Sequence, residues 1–100
     1  MRLDLFLKAS RLILRRTLAK EFCKENLVKV NGKVAKSSYE VKEDDEIEIK
    51  RHLRITKVRV LKVPATKQVS KKQASELYEV VSDETIEEEP PFEISLIPNS

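Results

Sequence analysis

Glycine, cysteine, histidine and tryptophan are nearly missing from this 100-residue chain, which has one Gly, one Cys, one His and no Trp. Each scarcity excludes a class of chemistry. One glycine, Gly32, cannot build a dinucleotide-binding turn, which needs three, or a phosphate loop, which needs two. A lone cysteine, Cys23, forms no internal disulfide, and the reducing cytoplasm is the compartment to expect. One His and one Cys cannot assemble a His/Cys metal cluster. His52 stands between Arg51 and Arg54 and reads as a solvated turn residue. No carboxylate pair or Cys–His pair is set up for catalysis, so the sequence predicts neither an enzyme nor a cofactor. No apolar run exceeds three residues, which predicts no membrane span. The opening Met-Arg-Leu-Asp lacks the apolar stretch and small-residue cleavage site of a secretory signal.

Aromatic residues are also few, at 5%. Phe6 and Phe22 fall on apolar stripes, and Tyr39 and Tyr78 stand alone. A protein that stacks splayed single strands wants interleaved, exposed aromatics, and none are present. Any nucleic acid is therefore to be held by its backbone and shape, which suits a folded RNA. Readout in a DNA groove would need a longer recognition helix.

What the chain has in quantity is charge, at 37% Asp, Glu, Lys and Arg. The net value of +3 conceals a division. Residues 1–72 hold all 20 Lys and Arg against 9 Asp and Glu, a surplus of +11. Residues 73–100 hold 8 Asp and Glu and no cation, a balance of −8. A basic body of this kind reads as a surface for a polyanion, with an acidic tail behind it.

Periodicity organises the body. Leu3, Phe6 and Leu7 predict a short helix over 2–8, with Asp4 and Lys8 as an i, i+4 pair on its wet face. Thr17 reads as the N-cap of a second helix over 18–25, whose apolar stripe is Leu18, Ala19, Phe22 and Cys23. Residues 28–35 read as a hairpin about Asn31-Gly32, because both centres of a type I′ turn need positive φ. Residues 46–50 alternate as a half-buried strand. Residues 53–63 form another, with a bulge or bend near Thr56-Lys57 and a stop at Pro64. Glu43 to Glu46 lacks the spacing and glycine of a calcium loop and reads as an acidic turn. Ser70 to Gln73 has the capping-box pattern of a third helix over 71–82. The alternating Phe92 to Ile97 could add a strand or dock on a partner. The fold class predicted is α+β: two short N-terminal helices on a small, mostly antiparallel sheet, plus a C-terminal helix and acidic tail. The units expected are an RNA-binding domain over 1–63, a linker and helix over 64–82, and a tail over 83–100.

The basic residues concentrate where the second helix begins. Arg11, Arg15, Arg16 and Lys20 bracket Thr17. The first N–H groups of a helix carry partial positive charge, and an adjacent arginine can take phosphate oxygens bidentately. Tandem arginines repel one another without a partner, so a phosphate site is the favoured reading.

Taken in order, Arg2-Leu3-Asp4, Phe6-Leu7, Ser10-Arg11 and Arg15-Arg16-Thr17-Leu18-Ala19-Lys20-Glu21 resemble the α-L RNA-binding motif, the RNA-binding domain of the fourth small-subunit ribosomal protein. Val30-Asn31-Gly32, Ala35-Lys36, Val41-Lys42 and Asp45-Glu46-Ile47 continue the likeness, which covers about residues 1–50. A stand-alone copy is similar to the fifteen-kilodalton heat-shock protein and to RqcP-type factors of ribosome quality control. The resemblance implies binding of rRNA and tRNA on large ribosomal subunits obstructed by peptidyl-tRNA, in support of C-terminal tailing by a larger partner factor. It places Arg2, Lys8, Arg11, Arg15, Arg16, Thr17, Lys20 and Lys36 at the RNA-facing edge. A monomer is expected. A general rRNA-binding assembly factor, or an adaptor using the tail, are the other readings. Leu5 and Leu14 stand where relatives often carry Lys, and Glu43-Asp44 replaces a usual Pro-Gly turn.

Overall fold

The computed structural model describes residues 1–66 and 68–85. Two helices come first, α1 (Leu3–Ala9) and α2 (Arg16–Lys24). They are followed by β1 (Val28–Val30), β2 (Lys33–Val34), β3 (Glu46–Arg51) and β4 (Arg54–Val60), then a single helical turn, α3 (Lys71–Ala74), and β5 (Tyr78–Thr85). The strands make one sheet in the order β2-β1-β3-β4-β5, every pairing antiparallel. The α+β class is as expected.

The hairpin of β1 and β2 turns on Asn31 and Gly32, at φ of 53° and 85°, the positive pair that the Asn-Gly sequence demands. Asp44 also takes a positive φ, 72°, in the turn before β3, a conformation that Asp tolerates better than most residues. Its neighbour Asp45 is not a solvated turn residue. It is buried and accepts hydrogen bonds from Asn31 Nδ2 at 3.0 Å, Tyr39 Oη at 2.9 Å and the Lys42 backbone N–H at 2.9 Å. A carboxylate can be buried when its lone pairs are met in this way, and here it locks the hairpin to the segment leading into β3. The irregularity expected in β4 near Thr56-Lys57 is not there: β4 pairs with β3 without a break and buries Thr56, Val58 and Val60 on one face, so the apparent slip of phase is a threonine at a core position. The bulge is in β5, where the pairing shifts opposite Lys57 and Val58 and leaves Val81 without a partner.

The core forms where the helices meet the sheet. Leu3, Phe6, Leu7, Ala19 and Cys23 join Val28, Val30, Ile47, Ile49, Val58 and Val60 in one buried cluster. Each large side chain so buried contributes about 1.5–3 kcal/mol. Phe22 is half-buried against this cluster, and Leu18, expected on the same stripe, is 46% exposed.

Four elements differ from expectation. The strand expected over 53–63 runs only from Arg54 to Val60. The first helix begins and ends one residue later than 2–8. The second begins at Arg16, with Arg15 rather than Thr17 in the N-cap position and no side-chain cap. The cause is at Arg16, whose side chain is drawn onto a buried Asp4 and brings its backbone into the first turn. The third helix does have the Ser70–Gln73 capping box, but it stops at Ala74. Ala74 and Leu77 are buried, and from Tyr78 the chain is a strand. Adjacent β-branched Val80 and Val81 favour extended backbone. The ion pairs Arg59–Glu79 and Arg54–Asp83 fasten β5 to β4. Asp83 and Glu84, assigned to the tail from sequence, are therefore sheet residues. The segment Phe92 to Ile97 lies outside the described residues.

Candidate nucleic-acid interface

The site assembles where α1, α2 and the segment after β2 converge. Asp4 is its hidden centre. On the sequence it is a wet-face partner of Lys8; in the structure it is fully buried. Its Oδ1 accepts from Arg2 Nε at 3.3 Å and from the Leu5 backbone N–H at 2.8 Å, and its Oδ2 accepts from Arg16 Nε at 3.3 Å. Both arginines use Nε, so their terminal amino groups remain available to an outside anion. The sequence signal was faint: Asp4 sits between Leu3 and Leu7 on the buried side of the helix rather than among polar neighbours.

The start of α2 is open. Arg15 is exposed, and its carbonyl accepts the first helical hydrogen bond from Ala19 N–H at 2.9 Å. No side chain caps the first turn, so its N–H groups and partial positive charge face outward together with Arg15. Thr17 is exposed in that first turn. One helical turn further along, Lys20 and Lys24 line a groove of about 270 Å³ with Lys36, Ser37 and Ser38 from the segment after β2. Thus Arg2 and Arg16 meet at Asp4, and Lys20 and Lys36 meet across the groove. Lys8 and Arg11 flank a separate cleft at the C-terminal end of α1.

Cys23 lies under this surface. Burial, and secondly the charge of Asp4, push its thiol from an ordinary 9.0 up to about 11, so it is a protonated packing residue at neutral pH. Among the described residues no group of His, Cys, Asp and Glu is placed to hold a metal ion, and no helix is long and apolar enough to cross a membrane. Part of the acidic end is already used inside the fold. Hydrogen bonding from Arg54 holds Asp83 below the usual carboxylate range.

Two short helices with an uncapped cationic helix start, set against an antiparallel sheet, define an S4-type domain, and residues 1–47 match the S4 domain family. The chain is 51% identical over 86 residues to the RQC P-site tRNA stabilizing factor of Halalkalibacterium halodurans, spanning 86% of this chain and 96% of that one. It is 42% identical over 88 residues to the protein of the same name from Streptococcus pneumoniae, spanning 88% and 98%. The trimeric structure of Vibrio cholerae heat shock protein 15 shares the fold, with a TM-score of 0.74 and 26% identity over 82% of each chain. The chain belongs to the family of RQC P-site tRNA stabilizing factors.

Proposed function

We propose that this chain is a non-catalytic RNA-binding factor of ribosome quality control. It grips tRNA and rRNA backbones on large ribosomal subunits obstructed by peptidyl-tRNA. The names of its relatives support a P-site tRNA as one ligand. The observation that carries the reading is the uncapped, cation-flanked start of α2 beside the Lys20–Lys36 groove. Helix N–H groups and Arg15 take phosphate oxygens of one strand, and the lysines follow the backbone onward. Arg2 and Arg16 present their free amino groups from the Asp4 anchor. We place the protein in the cytoplasm, acting as a monomer alongside a larger tailing factor.

The test is sedimentation of lysate through sucrose at low salt, wild type beside Arg15→Ala/Lys20→Ala. These two residues are exposed and lie outside the Asp4 network. Wild type with large subunits that carry tRNA, and the variant at the top, is the expected pattern. Wild type at the top of the gradient would refute the ribosomal assignment.

A further inference from the structure

Leu14 is explained neither by the core nor by the cationic edge. It sits in the connection between α1 and α2 and is 72% exposed. With Lys8, Ala9, Arg11, Gln68 and Val69 it lines a cleft of about 480 Å³. That volume lies within the range of small-ligand sites, roughly 300–1,000 Å³.

The walls of the cleft differ in chemistry. Lys8 and Arg11 are exposed cations with no ion-pair partner among the described residues. Arg11 Nη2 lies 3.5 Å from the Val69 carbonyl, which brings the guanidinium to the far wall. Arg11 also follows the helix C-cap Ser10 with a φ of 62°. Glycine is preferred at that position because a Cβ is strained there. Leu14 supplies an apolar wall, and Ala9, with only a methyl group, leaves the cleft its depth. Gln68 is exposed at the rim, with an amide that can donate and accept.

We propose that this cleft receives one unpaired nucleotide of the RNA held by the basic edge. The inference rests on the RNA-binding reading above. The base lays its face on Leu14 and meets Gln68 with its polar edge, while its phosphate lies between Lys8 and Arg11. A nucleotide offers an apolar face, a hydrogen-bonding edge and an anion within one small ligand, which matches the three kinds of wall. Folded RNAs present such a nucleotide at bulges and loops. Because Arg11 and Leu14 belong to the same connection as Arg15, a strand lying on the start of α2 can reach the cleft without leaving the surface.

The experiment compares two short RNA hairpins, one with a single bulged 2-aminopurine and one with the same stem fully paired. Affinity is read by anisotropy of an end label, and seating of the base by 2-aminopurine emission. Wild type is expected to bind the bulged hairpin about fivefold more tightly, the scale of one desolvated base, with a change in emission. Leu14→Ala should abolish both the preference and the emission change, with binding to the paired stem kept within about twofold, as for an ordinary surface substitution. Gln68→Ala should reduce the preference in part. Arg15→Ala should weaken both hairpins alike. Equal binding of the two hairpins by wild type, or a preference that survives in Leu14→Ala, overturns the proposal and leaves the α2 interface standing. Failure to bind either hairpin overturns the RNA-binding reading along with it.

Discussion

Arg15 and Arg16 are neighbours in sequence, yet the structure assigns them opposite duties, and substituting each alone separates these. Arg16 Nε lies 3.3 Å from a carboxylate with no solvent exposure, and Arg2 is the second cation on that carboxylate. Removing Arg16 leaves Asp4 with one cation instead of two. A hydrogen bond to a charged group contributes about 1.5–3 kcal/mol. The contact is long and Arg16 is 40% exposed, so the lower end applies, and the loss expected is about 1–2 kcal/mol. For a domain of this size that lowers Tm by roughly 4–15 °C, at about 4–8 °C per kcal/mol. The Arg15 side chain has no hydrogen-bonding or ionic partner among the described residues, so Arg15→Ala should leave Tm within about 1 °C. The same substitution should weaken RNA binding by about 1–2 kcal/mol, five- to thirtyfold, through loss of a charged contact. Thermal unfolding by circular dichroism and RNA titration by anisotropy, on both variants, decide the matter. An unchanged Tm for Arg16→Ala, with an RNA loss equal to that of Arg15→Ala, would make Arg16 a plain surface contact and refute the Asp4 anchor. Unfolding of Arg15→Ala would refute the open helix start.

Other outcomes can be checked on the same material. If about six phosphates are neutralised, log K for RNA should fall against log salt with a slope of about −4 to −5, and a flat plot would remove the electrostatic basis of binding. Asp45→Ala should cost about 2–4 kcal/mol in urea unfolding, since three donors lose their acceptor; a loss under half a kcal/mol, roughly, would mean that solvent replaces Asp45. Gly32→Ala should cost about 1 kcal/mol by strain alone, because a Cβ there meets nothing within 4 Å while φ is +85°. The Cys23 thiol titrates near 9.0 when unfolded and near 11 when folded, so its contribution to stability is complete below pH 9 and is lost as pH rises toward 11. Urea midpoints measured across that window should fall less steeply for Cys23→Ala than for wild type. Parallel curves would show that the thiol is not shifted.

Local rules made much of this molecule legible before any coordinates. Asn31-Gly32 has one economical conformation, so the hairpin followed from two residues. The alternation of residues 46–50 named a strand, whereas the apparent break of phase after Ile55 named no bulge in β4, because Thr56 takes a core position in a regular strand. The basic stretch from Arg11 to Lys20 marked the proposed interface, because clustered like charge implies a partner. Each of these rests on neighbours in the chain, where backbone sterics and side-chain period suffice.

The remainder depended on contacts between distant segments. Ala74, Leu77, Tyr78 and Val81 satisfy a helical period, yet β4 offers an unpaired edge, and Arg54 and Arg59 hold Asp83 and Glu79 there. Sheet pairing with residues some twenty positions away overrode the local period. Thr17 is a good N-cap residue, but Asp4 on another helix drew Arg16 inward and moved the helix start past it. The cleft beside Leu14 exists only because residues 68 and 69 return to the end of α1. Sequence alone determined the two N-terminal helices, the first four strands, the charge division and the clustering of cations around the start of α2. Only the tertiary structure decided which cations serve the fold and which face outward, since burial of a carboxylate is a property of packing and not of its neighbours in the chain.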